Sequence, residues 1–433
     1  MLKNAIAYIL RKRNRTIIVF IILTVVLSCL YSCLNITKST NNLEKNLYKI
    51  SNTSLSIIKN NGDTFETNQF KELDNIKEIK ENLDSQKINF VVLLDRANGY
   101  DKTEGNWTDT KILELNSGTE INDDIILEPG EKDTTDISTL NEFLEFVTKY
   151  YPSEKFALNI WSHGFGVYPD CKIFYESRSL IQDYTTGYSN ECAFSIIEFA
   201  DCLRNFCNIQ NKKIDILQFD CCLMQMVEIL WQLKDCADFI IGSQAELPGS
   251  GSNYTTLCKN LTSNFTTKEC AANIVDDFKE KYKNTLVSCS YSAVDMNNFQ
   301  KFANSFNSFF NNISENTNIN FSLLKNNIEK SYKYDSNFIE YIDLINFLSI
   351  FKEQLTNNPK EEEVFFQLTE SFNEITLSSY SGNSYSEKIN GIGINIPYNE
   401  KLYSYYNQQA DDYLDIYKDT PLIQIIEKIV FAE

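Results

Sequence analysis

Apolar residues along this chain fall into two rhythms. The first is a set of short continuous runs: INFVVLLD (Ile88–Asp95), FALNIW (Phe156–Trp161), IDILQFD (Ile214–Asp220) and ADFIIGSQ (Ala237–Gln244). Runs of this length suit strands buried on both faces, where neither face calls for a polar side chain. KILEL (Lys111–Leu115) reads as a further strand. The second rhythm is helical. Within Asp136–Tyr151 the apolar positions Leu140, Phe143, Leu144 and Val147 share one face, and Asp136 is suited to cap the helix start. Ser195–Phe206 also reads as a helix, as does LMQMVEILWQL, which puts Cys222 at a helix start. Strands alternating with helices over residues 88–244 predict a right-handed, largely parallel βαβ sheet with helices on both faces. Beyond it the pattern predicts helices around 267–283, 297–312, 320–356 and 361–375. A strand near Ser290–Met296 and a late strand at GIGINIP (Gly391–Pro397) complete the reading, and no fixed-period repeat is present.

One apolar run is of a different kind. Lys3, Arg11, Lys12, Arg13 and Arg15 precede nineteen uncharged residues, Thr16–Leu34. At about 1.5 Å per residue a helix of that length nearly spans a hydrocarbon core. The basic flank would stay cytoplasmic and send the rest of the chain outward. Residues 1–15 are thus expected to be a cytoplasmic basic segment, and 16–34 a membrane anchor or a signal segment. No small-x-small cleavage site closes the run, which favours a retained anchor. Leu30-Tyr31-Ser32-Cys33 offers a lipoprotein box as a third option. Residues 35–85 are rich in Asn, Lys and Ser with weak periodicity, and read as a polar stalk or pro-segment.

Charge and cysteines narrow the function classes. A formal net charge of −19 argues against nucleic acid as a partner, because phosphate binding needs concentrated Lys and Arg. Beyond the apolar segment lie ten cysteines: Cys171, Cys192, Cys202, Cys207, Cys221, Cys222, Cys236, Cys258, Cys270 and Cys289. None forms a CxxC pair, and the chain has one histidine, His163, so zinc chemistry finds no ligand set and no metal or cofactor is expected. If one cysteine is a nucleophile, an odd number remains, so some are buried thiols.

The lone histidine stands two residues past one apolar run, and Cys222 two residues past another. In open parallel sheets ligands bind beyond the carboxyl ends of the strands, so both residues belong to the same rim. A thiol needs a base to take its proton, which an imidazole supplies. The bland readings are a histidine with no chemical role and an inert cysteine beside a buried strand. Gly164 and Gly166 let backbone approach a substrate, and the Gly164 amide is placed to donate to an oxyanion. Cys221 rivals Cys222; adjacent side chains point apart, so one faces the sheet interior and the other the rim.

FALNIWSHGFGV followed by ILQFDCCLMQMVEI resembles the clostripain-type (C11) cysteine peptidases, with their His–Gly–x–Gly and Asp–x–Cys–Leu–Met signatures. GSQAELPGSG (Gly242–Gly251) is similar to that family's Glu-x-x-Pro-Gly loop, and the likeness runs from about residue 88. The resemblance implies a caspase-like α/β fold over residues 86–433, and an endopeptidase that cleaves protein or peptide substrates after Arg or Lys; a monomer is expected. It assigns the nucleophile to Cys222, the base to His163, the oxyanion donors to the amides of Gly164 and Cys222, and the floor of the basic-side-chain (S1) pocket to Asp220. Ser250 stands where a second acid of that pocket is often found. Lys172 and Arg178 are candidate self-cleavage points between the motifs. Calcium dependence occurs in the family, but no EF-hand loop is present. Asp220 has a plainer alternative, capping the helix that follows it. For the whole chain the alternatives are an inactive surface-anchored interaction protein of the same fold and a legumain-like peptidase specific for Asn.

Overall fold

The computed structural model describes residues 18–25, 66–84, 87–96, 107, 109–167, 194–335, 340–355, 359–407 and 414–432. Its centre is a nine-stranded sheet built from β1 (Ile18–Val25), β2 (Ile88–Asp95), β3 (Lys111–Glu114), β4 (Ile125–Leu127), β5 (Lys155–Trp161), β6 (Ile214–Asp220), β7 (Ala237–Gly242), β8 (Ser290–Asp295) and β10 (Thr376–Ser381). The order across the sheet is β10-β8-β7-β6-β5-β1-β2-β3-β4. Strands β2, β1, β5, β6 and β7 are parallel. The outer strands are antiparallel on both sides. β9 (Tyr341–Asp343) and β11 (Gly393–Asn395) form a separate two-stranded sheet. The expected mixed α/β architecture with a mostly parallel sheet is therefore present, with GIGINIP contributing to the small sheet and not to the large one.

The continuous apolar runs are explained by period-two alternation between two cores. Val91, Leu93, Leu158, Ile160, Leu217, Phe219 and Ile240 pack on one face; Phe90, Val92, Leu94, Ala157, Ile216, Phe239 and Ile241 pack on the other. The first face is covered by helices Ile137–Tyr150, Ile196–Gln210, Val227–Gln232 and Phe299–Glu315. Asp136 caps the first of these through its side chain, as its position suggested. Ser195 and Glu198 form a capping box on the second. The other face is covered by Glu66–Asn82, Tyr254–Thr262 and Thr267–Tyr282.

Two expectations are corrected. Glu66–Asn82 is a helix, where a polar stalk was expected; its Leu73, Ile76 and Ile79 are buried against the sheet. Those apolar residues are few and set among Glu, Lys and Asn, which hid their common face. Second, Cys222 does not start a helix: the helix begins at Val227, after the cap Met226. Leu223 takes a positive φ of 61°, and the amides of Leu223 and Gln225 donate to the carbonyls of Ala245 and Ser243. The backbone therefore runs alongside the end of β7 before it coils.

Ile18–Val25 lies inside the run expected to be a membrane anchor or a signal segment. It occupies a strand position paired in parallel to both β2 and β5. An uncharged, largely apolar run satisfies a strand between two covered faces as well as it satisfies lipid, so composition alone does not separate them. Among the described residues no helix is long and apolar enough to cross a membrane. Removing residues 1–34 is expected to abolish the cooperative unfolding transition. Two ladders would be lost from the middle of the sheet, against a total stability of about 5–15 kcal/mol. A truncated chain with native Tm and solubility would show that the sheet does not need this strand.

Candidate active site

β5 and β6 are neighbours in parallel, and their last register pair is Trp161 with Asp220. His163 and Cys222 each follow two residues later, so the ladder delivers both to one rim of the sheet at adjacent strand positions. The two turns also touch. A Cβ added at Gly164 would overlap the Cys222 carbonyl oxygen and lie 2.9 Å from the Cys221 Cβ, so only glycine lets the histidine turn lie on the cysteine turn. The His163 ring stacks beside Phe165 at 6.1 Å between centroids. Burial lowers its imidazole pKa, which keeps the ring neutral and able to accept a proton.

The adjacent cysteines face opposite ways. Cys221 is 1% exposed and its thiol donates to the Ile160 carbonyl at 3.2 Å, within the sheet. Cys222 is partly exposed, and its sulfur accepts the Leu247 amide at 3.2 Å. Burial pushes the Cys222 thiol up to about 12; the Leu247 amide opposes this, while the charges of Glu246, Asp335 and Asp220 add to it. Cys221 is held well above the usual thiol range, by burial first and then by Asp220. Of the pair, Cys222 alone combines access with a polar partner outside the sheet.

Asp220 ends β6 and is buried. Its Oδ2 accepts the Ser252 amide at 3.0 Å and the Tyr254 hydroxyl at 2.6 Å. Gly251, at φ +56°, presses so closely on this carboxylate that any side chain there would collide with it. Asp220 therefore caps the 250–254 loop and not the helix after it. Its other oxygen, Oδ1, is buried with no hydrogen-bond partner. Burial raises the carboxyl pKa, opposed by Ser252, Tyr254 and the Lys281 charge. Lys281 Nζ in turn donates to the carbonyls of Ser250 and Ser252, each at 2.8 Å. The Ser250 hydroxyl is engaged with Tyr282 at 2.7 Å.

His163, Gly164, Asp220, Cys221 and Cys222 thus converge, and Ser250 stands in the loop that wraps Asp220. Lys172 and Arg178 lie outside the described residues. Among the described residues no group of three or more His, Cys, Asp and Glu side chains is arranged to hold a metal ion. Besides Cys221 and Cys222, the six other described cysteines are free thiols, all buried. Sequence reasoning missed Leu247, Tyr254, Lys281 and Tyr282. Each lies 25 or more residues from Cys222 and carries no motif of its own; only the Glu-x-x-Pro-Gly loop flagged their neighbourhood.

A family model described as the clostripain family matches residues 57–428. Among solved structures, the chain is similar to a secreted C11 cysteine protease from Bacteroides thetaiotaomicron in complex with an irreversible peptide inhibitor. The TM-score is 0.62 at 17% identity, covering 94% of this chain and 99% of that one. It is also similar to an inactive zymogen C11 protease from Parabacteroides distasonis, with TM-score 0.63 at 17% identity over 94% of this chain and 98% of the other. At that identity the structures share the fold. No match is found among curated protein sequences.

Proposed function

Since this chain belongs to the clostripain family of cysteine-type peptidases, we propose that it cleaves proteins or peptides after Arg or Lys through a dyad of His163 and Cys222. The observation that carries this reading is the β5–β6 register, with His163 and Cys222 equally far past the Trp161–Asp220 pair. His163 takes the Cys222 proton, the thiolate attacks the scissile carbonyl, and the amides of Gly164 and Cys222 hold the oxyanion. The acyl-enzyme is then hydrolysed by water that His163 deprotonates. The resting pair is neutral, because burial lowers the imidazole and raises the thiol. Preference for a basic side chain is supported by the buried, unpartnered Oδ1 of Asp220. A guanidinium or ammonium would supply the donor this oxygen lacks and the positive charge a buried carboxylate calls for.

The test is turnover by the full-length chain of fluorogenic peptides ending in Arg, Lys or Asn. Cleavage of the Arg and Lys peptides with the Asn peptide untouched is expected. No turnover of any peptide, before or after limited trypsin nicking, overturns the peptidase reading of this chain. Preferred cleavage after Asn would turn the assignment to a legumain-like specificity.

A further inference from the structure

We propose that Tyr341 is a positioning residue for His163, its hydroxyl holding in place the turn that carries the imidazole. The inference rests on the His163–Cys222 reading above. Tyr341 lies on β9, is fully buried, and is 178 residues from His163 along the chain. Its hydroxyl donates to the Phe165 carbonyl at 2.8 Å and accepts the Val167 amide at 3.2 Å. One oxygen thus closes both ends of a three-residue turn. Gly166, at the apex, has φ +74°, and a Cβ there would lie 2.6 Å from the Tyr341 hydroxyl and 2.7 Å from its ring. The aromatic ring therefore occupies the space a side chain would take, and only glycine permits the grip. Phe165, whose carbonyl is held, stacks its ring beside His163. The chain of contacts from hydroxyl to imidazole is two residues long.

The element that presents Tyr341 is fastened to the cysteine half of the site as well. β9 pairs with β11, and the Gly393 amide of β11 donates to the Gln225 carbonyl at 2.9 Å, three residues past Cys222. The Asn395 amide donates to Glu228 Oε1 at 2.8 Å. Gln244, two residues past β7, donates to Asp343 Oδ2 at 3.0 Å and accepts the Gly391 amide at 2.8 Å. The small sheet is thus tied to the Cys222 turn by backbone and side chain, while Tyr341 reaches across to the His163 turn. It sets one catalytic turn relative to the other. Catalysis by a paired base and nucleophile is steep in their separation, a misplacement of about 1 Å costing about 100-fold.

Tyr341→Phe keeps the ring and removes the hydroxyl. On Arg and Lys peptides, kcat is expected to fall about 10- to 100-fold with KM within about twofold, because Asp220 and its loop are untouched. Alkylation of Cys222 by iodoacetamide, read by peptide mapping, should slow in parallel. The control is Tyr403→Phe, which removes a hydroxyl that donates to Glu427 Oε1 at 2.6 Å between C-terminal helices. It should lower Tm without changing kcat or the alkylation rate. Rates are expressed per molecule that shows the native unfolding transition, so misfolded material does not enter. If Tyr341→Phe lowers Tm and leaves kcat and alkylation as in Tyr403→Phe, the hydroxyl is structural and the proposal is overturned. Turnover by the parent chain that survives Cys222→Ala would instead overturn the dyad reading, and this proposal with it.

Discussion

Cys222→Ala is expected to remove turnover of Arg and Lys peptides by a factor on the order of 10⁴ or more, because the proposed mechanism puts the covalent step on the Cys222 sulfur. Cys221→Ala is expected to retain most of the activity. The two sulfurs are neighbours in sequence but not in environment: one is buried in the sheet on the Ile160 carbonyl, the other is reachable and bonded by the Leu247 amide. Cys221→Ala should cost about 1 kcal/mol of stability as the loss of a small buried side chain. A peptide electrophile followed by mass mapping should label Cys222 and spare Cys221. The reverse pattern in either experiment would move the nucleophile to Cys221.

The second large effect is on specificity. Asp220→Asn should lower kcat/KM for Arg and Lys peptides by about 10²–10³-fold, the range for removing one partner of a buried charge pair. Peptides with a neutral side chain at the same place should lose no more than a few-fold. Burial raises the Asp220 pKa, so its ionised form opposes folding above the ordinary carboxylate range, and a neutral side chain there should not cost stability at neutral pH. By the same shift, the parent enzyme should lose affinity for Arg peptides, as pH falls, at a higher pH than an ordinary carboxylate would dictate. Equal loss on charged and neutral substrates would count against the pocket assignment and leave Asp220 as the anchor of the 250–254 loop.

Much of the architecture was legible from apolar rhythm. The run Ile88–Asp95 is a strand at its expected limits, every residue of it buried between the two helical layers. Asp136 and Ser195 mark helix starts through their own side-chain hydrogen bonds, a local effect that a local reading captures. The segment after Cys222 shows where such reading fails. LMQMVEILWQL has helical spacing, yet its first residues bond to Ser243 and Ala245, about twenty residues on, and do not join the helix, which begins at Val227. The nineteen-residue run Thr16–Leu34 meets the length for a bilayer, and the strand Ile18–Val25 within it takes partners, β2 and β5, that lie far along the chain.

The sequence by itself determined the alternation of strands and helices, the one histidine, and the placement of His163 and Asp220-Cys221-Cys222 directly after apolar strands. Those are properties of short stretches, where side-chain period and backbone preference act within a few residues. Only the tertiary structure decided which cysteine faces out, what holds Asp220, and what grips the histidine turn. The orientation of Cys222 is set by Leu247, the carboxylate is held by Ser252 and Tyr254, and the turn is closed by Tyr341. Each of these is a hydrogen bond between residues 25 or more apart. Such bonds form only where packing of the sheet and its helices has already met the entropic cost of bringing the segments together.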